Sequence, residues 1–155
     1  MKVDEGRIGR IFVLRLEDGD RIPNCIESFA ASNKLARAAC WLVGGIGSGQ
    51  IVVGPEDTAE SGDDLPPVPM IHNLQGVHEA AAVGTIFPDE SGMPRLHMHA
   101  ALGRNGGTRT GCVRPGVNIW TVGEVVIMEM LDLDMIRKRD QATGFELLDT
   151  SKNAS

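Results

Sequence analysis

The sequence predicts an α+β fold: mainly antiparallel or mixed β-sheet with one principal helix. Three observations carry this. Most apolar residues fall in short blocks with strand-like alternation, and a single stretch has helical spacing. Nineteen glycines imply many turns. Asn105-Gly106, between two such blocks, is a strong hairpin signal. The 155 residues correspond to one domain, long enough to bury a core without disulfide or metal staples. That domain is placed at residues 1–136, with 137–155 as a polar, partly flexible extension. With four Phe, two Trp and no Tyr, the core must come from Val, Ile, Leu, Met and Ala.

The elements follow in order. Arg7 to Leu16 reads as a strand, because Phe12, Leu14 and Leu16 alternate with Val13 and Arg15. Glu17-Asp18-Gly19-Asp20 ends it in a turn. A helix is predicted over Pro23 to Asn33: Ile22, Ile26, Phe29, Ala30 and Leu35 keep its period. Asp20 is its expected N-cap, and Pro23 suits its first turn. Glu27 early and Lys34 and Arg37 late fit the helix dipole. Two buried strands, Ala38 to Gly45 and Gln50 to Gly54, are separated by a glycine-rich bend at Gly44 to Gly49. Pro55 to Pro69 is an acidic exposed loop. Strands follow at Met70 to Leu74, His78 to Phe87 and Pro94 to Leu102, with a turn at Pro88 to Gly92. Thr108 to Val113 returns from the Asn105-Gly106 turn, and Val122 to Leu133 is the last strand. Ser151 to Ser155 reads as a loose tail.

Charge and composition exclude several roles. The net charge of -6 does not attract phosphate backbones. No apolar run approaches the roughly 18 residues of a membrane span. Three cysteines cannot all pair within the chain, and Met1-Lys2-Val3-Asp4-Glu5 does not read as a targeting segment. A reducing cytoplasm with free thiols is the expected setting.

The chemistry concentrates in Leu96-His97-Met98-His99-Ala100. Residues two apart on a strand share a face, so His97 and His99 project together. If Asn105-Gly106 is a two-residue turn, Arg104 pairs with Gly107 and His99 falls opposite Cys112. A His97, His99, Cys112 set suits Zn²⁺ or another borderline-soft divalent ion, and leaves a fourth position open. A one-residue slip would turn Cys112 to the other face. The plainer reading is two exposed cross-strand histidines and a small core cysteine.

Other candidates are weaker. The glycines at Gly44 to Gly49 lack the lysine of a phosphate loop and precede a strand rather than a helix. His72 and His78 are expected on the surface, Cys25 and Cys40 in packing roles. Ser48 has no evident His–acid partners. Glu124 is the acid best placed for proton work, or else a solvent-facing strand residue.

The order of these pieces resembles the plant- and prokaryote-conserved (PPC) domain family, over about residues 7 to 133. Phe12-Val13-Leu14-Arg15-Leu16-Glu17-Asp18-Gly19-Asp20 resembles its opening, and Gly45-Ile46-Gly47-Ser48 its Gly-Ile-Gly-Ser signature. Asn73-Leu74-Gln75-Gly76, Leu96-His97-Met98-His99-Ala100-Ala101-Leu102 and Thr121-Val122-Gly123-Glu124-Val125-Val126-Ile127 resemble later elements. The resemblance implies a homotrimer and a three-histidine metal site. By position its ligands are His97, His99 and Cys112, with Cys where the family usually has His in Gly-Gly-His-Leu; here the segment is Thr110-Gly111-Cys112-Val113. Thiolate remains a competent ligand. The glycine before Glu124 is a second departure.

Plant members add an Arg-Gly-Arg-Pro hook for the minor groove. Arg7-Ile8-Gly9-Arg10 lacks its spacing and its proline. Three functions are therefore expected, in this order. The first is an oligomeric module binding a divalent metal, zinc foremost, with a small ligand or protein partner. The second is a metal-dependent hydrolase or lyase. The third is a DNA-binding regulator, inherited as a family label and unsupported by charge.

Overall fold

The computed structural model describes residues 1–56 and 67–150. Residues 57–66, most of the expected acidic loop from Pro55 to Pro69, lie outside the described residues, as does the expected tail Ser151 to Ser155.

The chain forms β1 (Arg7–Glu17), β2 (Arg21–Ile22), α1 (Asn24–Ser32), β3 (Ala38–Pro55), β4 (Pro69–Asn73) and β5 (His78–Pro88). It continues with β6 (Pro94–Arg104), β7 (Gly107–Cys112), β8 (Val117–Leu131), β9 (Met135–Arg139) and β10 (Glu146–Thr150). Among the described residues the fold is thus mostly antiparallel sheet with one short helix. An eight-stranded sheet runs β1-β8-β3-β5-β6-β7, with β2 on β8 and β4 on β3. The far end of β3 also meets β7, through Val52 opposite Cys112, so the sheet curls back on itself.

One face of this sheet carries the core. Leu42, Ile46, Ile86, Met98, Leu102, Val125 and Ile127 are buried there, and Ile26 and Ala30 of α1 pack into the same cluster. The core is aliphatic, as the composition requires. Phe12 and Phe29 meet edge-to-face at its margin, 5.3 Å between centroids.

Four expectations need correction. The glycine stretch does not divide two strands: β3 is one strand of 18 residues. Its ladder with β8 is interrupted by register shifts between Gly44 and Gly45 and between Ile46 and Ser48. These bulges bend the strand while pairing continues. Gly44 is required there, since it has φ +141° and a Cβ would meet the Val122 carbonyl oxygen at 2.5 Å.

Asp20 is not the helix cap. Its carboxylate accepts from the Glu17 N–H at 2.9 Å and closes the preceding turn, while Pro23 occupies the cap position. The helix also stops before Lys34 and Arg37, with the Asn33 side chain donating to the Phe29 carbonyl.

The last long strand starts at Val117 rather than Val122, because Val117 and Ile119 already point into the core. Finally, a hairpin follows residue 133, mostly within residues 137–155, which are expected to be a polar extension. β9 and β10 pair antiparallel, and Arg137 of β9 is only 5% exposed.

Candidate metal centre

The Asn105-Gly106 turn has φ +50° and +77°, the two left-handed residues a type I′ turn needs. It fixes the register of β6 on β7: Arg104 opposes Gly107, and His99 opposes Cys112. All three sequence-predicted ligands therefore come together. One ligand atom from each of His97, His99 and Cys112 lies within 4.8 Å of the other two. The two Nε2 atoms are 3.0 Å apart, and the rings meet at 71°.

Met98 between them is 1% exposed and faces the core, so alternation along β6 separates packing from chemistry. His97 is half-buried, His99 exposed and Cys112 partly buried. Loss of water around His97, helped by the positive charges of Arg137 and Arg114 and by His99, lowers its pKa to about 4. The ring is neutral at pH 7, with a lone pair to offer.

The donor set fits a tetrahedral ion. Metal–nitrogen bonds of about 2.0–2.1 Å and metal–sulfur bonds of about 2.3 Å place ligand atoms roughly 3.3–3.6 Å apart. With the three atoms within 4.8 Å of one another, side-chain rotations would suffice to reach that spacing. The two Nε2 atoms, now 3.0 Å apart, would each turn a lone pair to the ion. Three protein donors leave a position for water or a ligand.

The other candidates do not join this cluster. Glu124 is exposed on β8, opposite Arg15 and Val43. It is three strands from His99, roughly 14 Å at ~4.8 Å per strand. His78 is not on the surface: it is 8% exposed, with Nδ1 2.9 Å from the Gly76 carbonyl oxygen. His72 is half-buried on β4. Cys40 lies fully buried in β3, and burial raises its thiol pKa to about 12. Burial likewise raises Cys25 on α1 to about 11, so both are inert packing thiols at neutral pH. Ser48 accepts from the Asn118 amide at 3.0 Å, with no histidine in the arrangement.

Two residues near the cluster escaped the sequence reading. Arg137 reaches Thr85 Oγ1 through Nη2 at 3.1 Å, and Thr85 is the direct cross-strand neighbour of His97. Arg114 lies two residues beyond Cys112. Only the alternation of Met135 and Arg137 against Ile136 and Lys138 hinted that Arg137 belongs to a strand.

A curled antiparallel sheet with one helix, presenting a His-x-His pair and a cysteine on its outer face, defines the class. Residues 3–131 match the Plants and Prokaryotes Conserved (PCC) domain, and the chain belongs to this family. Solved structures share the fold. A PPC protein from Pyrococcus horikoshii superposes with a TM-score of 0.80 at 20% identity, covering 99% of this chain and 100% of its own. A metal-containing protein from Archaeoglobus fulgidus gives 0.79 at 24%, covering 95% and 98%. A candidate DNA-binding protein from Ralstonia eutropha gives 0.70 at 15%, covering 88% and 89%. The bifunctional protein GlmU of Synechococcus sp. (strain JA-3-3Ab) is 28% identical over 146 residues, 94% of this chain. The chain spans only 21% of the length of that relative.

Proposed function

We propose that this PCC-domain protein is a homo-oligomer, a trimer by family resemblance, that holds a divalent metal ion on His97, His99 and Cys112 and binds a small ligand or partner beside it. Zinc is the first candidate on donor chemistry. The observation that carries the reading is the convergence of three donor atoms within 4.8 Å. The metal-containing Archaeoglobus fulgidus protein of the same fold adds support.

The oligomer reading has its own support. Val13, Val126, Trp41, Val83 and His99 are successive cross-strand neighbours on β1, β8, β3, β5 and β6. Opposed residues share a face, so they form one row across the outer side of the sheet. The four apolar members are 76%, 40%, 44% and 57% exposed. A contiguous apolar stripe of this kind is typical of a surface that another subunit covers, and here it ends at the metal ligands.

No reaction is assigned. A metal-dependent hydrolase or lyase is the second reading, favoured by the open fourth position. Elemental analysis of untagged protein, with a native mass measurement, tests the first. The expected result is one metal per chain in an oligomer, and a metal-free monomer overturns it. Turnover that disappears together with the metal in His99→Ala would move the assignment to the second.

A further inference from the structure

A cavity of about 510 Å³ opens between α1, the start of β6, the segment after β7 and the β9–β10 hairpin; its lining includes Leu96, which precedes His97, and Arg114, two residues beyond Cys112. Such a volume suits a small molecule. Four guanidinium groups line it, those of Arg21, Arg95, Arg114 and Arg137, against two carboxylates, Glu27 and Glu146.

The four are not equivalent. Arg95 donates to Asp89 at 2.9 Å and lies 4.0 Å from Glu27. Arg21 donates to Asn118 Oδ1 and to the Pro115 carbonyl. Glu27 itself accepts from the Leu96 N–H at 2.9 Å. Arg21, Arg114 and Arg137 have no ion-pair partner among the described residues, and of these Arg21 is held by its two neutral acceptors. Arg137 is also 5% exposed, and its Nε has no hydrogen-bond acceptor. Glu146 acts on it only at a distance, from an exposed position.

A buried cation with an orphaned donor is among the costliest arrangements a protein can hold. It is retained where an anion completes it. We infer that this cavity binds a small oxyanion, a carboxylate or a phosphate, between the guanidinium groups of Arg137 and Arg114. A planar guanidinium offers two parallel N–H bonds to such a group, and a turn of the Arg137 side chain towards the cavity would let its unpaired, buried Nε supply one of them. Arg137 is bonded to Thr85, the neighbour of His97, so the anion lies next to the metal position. A ligand with a second donor atom could span both. The inference deepens the ligand half of the proposed function and does not rest on the metal half.

The test uses the full chain, stripped of metal and dialysed free of phosphate. It is titrated calorimetrically at low salt with inorganic phosphate and, separately, with succinate. At least one probe is expected to bind saturably, and which one does identifies the anion type. Arg114→Gln should weaken that binding about tenfold or more, the worth of a charge-assisted hydrogen bond. Arg137→Gln should abolish it. If burial makes Arg137→Gln unfold, the exposed Arg114 decides the matter. The inference is overturned if neither probe binds, or if folded Arg114→Gln binds as tightly as the parent. Zinc titration of the same preparations separates the two readings. Anion binding without zinc uptake removes the metal, and zinc uptake without anion binding removes this cavity's role.

Discussion

His97 and His99 differ in surroundings although they differ by only two positions. His97 is half-buried and held neutral by lost solvation and by the positive charges of Arg137 and Arg114, while His99 is exposed. Both nitrogens and the Cys112 sulfur are within reach of one ion. His99→Ala leaves two donors and should reduce zinc affinity by at least about tenfold, read by competition with a chromophoric chelator. Unchanged affinity would place the ion elsewhere.

Glu129 gives a second prediction. Its carboxylate is 6% exposed and accepts from Arg10 Nη2 at 2.6 Å and Nε at 2.7 Å. The hydrogen bonds and charge of Arg10 hold its pKa down at about 2. A lowered carboxylate pKa contributes stability above the unfolded value of about 4.3, lost as pH falls through the folded value. Urea midpoints should therefore fall between about pH 5 and pH 2, with part of that slope absent in Glu129→Gln. An identical pH profile in the variant would remove Glu129 from the account.

At the scale of elements, α1 is held by burial rather than by caps. No side chain caps its N-terminus, and Ile26 and Ala30 are fully buried. Ile26→Ala should cost about 2–5 kcal/mol in denaturant unfolding. A loss under about 1 kcal/mol would mean the helix packs less tightly than its exposure implies. The β6–β7 hairpin is the best-specified element, because two left-handed residues fix its turn and the turn fixes its register. Its strands were legible from Asn105-Gly106 and alternation alone, and so was the approach of Cys112 to His99. The β3 strand was less legible. Glycines signal bends, and only its pairing with β8 shows that these are bulges within one strand.

At the scale of the molecule, the outer sheet face combines an apolar stripe with the His97, His99 and Cys112 cluster. Val83 lies between Trp41 and His99 on that face and is 57% exposed. Val83→Asp introduces a charge there without disturbing the core. It should shift the native mass towards monomer while the far-ultraviolet spectrum is retained. An unchanged assembly would mean that subunits meet on another surface. With a net charge of -6, the protein should also pass through duplex DNA resin at low salt. Retention would revive the regulatory reading.

The sequence by itself determined the sheet-rich class, the aliphatic core, the single helix and the three convergent donors. All of these follow from composition, periodicity and one turn, which can be read without knowing how distant segments meet. Only the tertiary structure decided that Arg137, expected in a polar extension, is buried on β9 beside Thr85, and that Arg114 and Arg137 line one cavity. The reason is distance along the chain: Thr85 and Arg137 are 52 residues apart. No local pattern records which charged residue a later hairpin will press against a sheet, because that depends on how the faces pack.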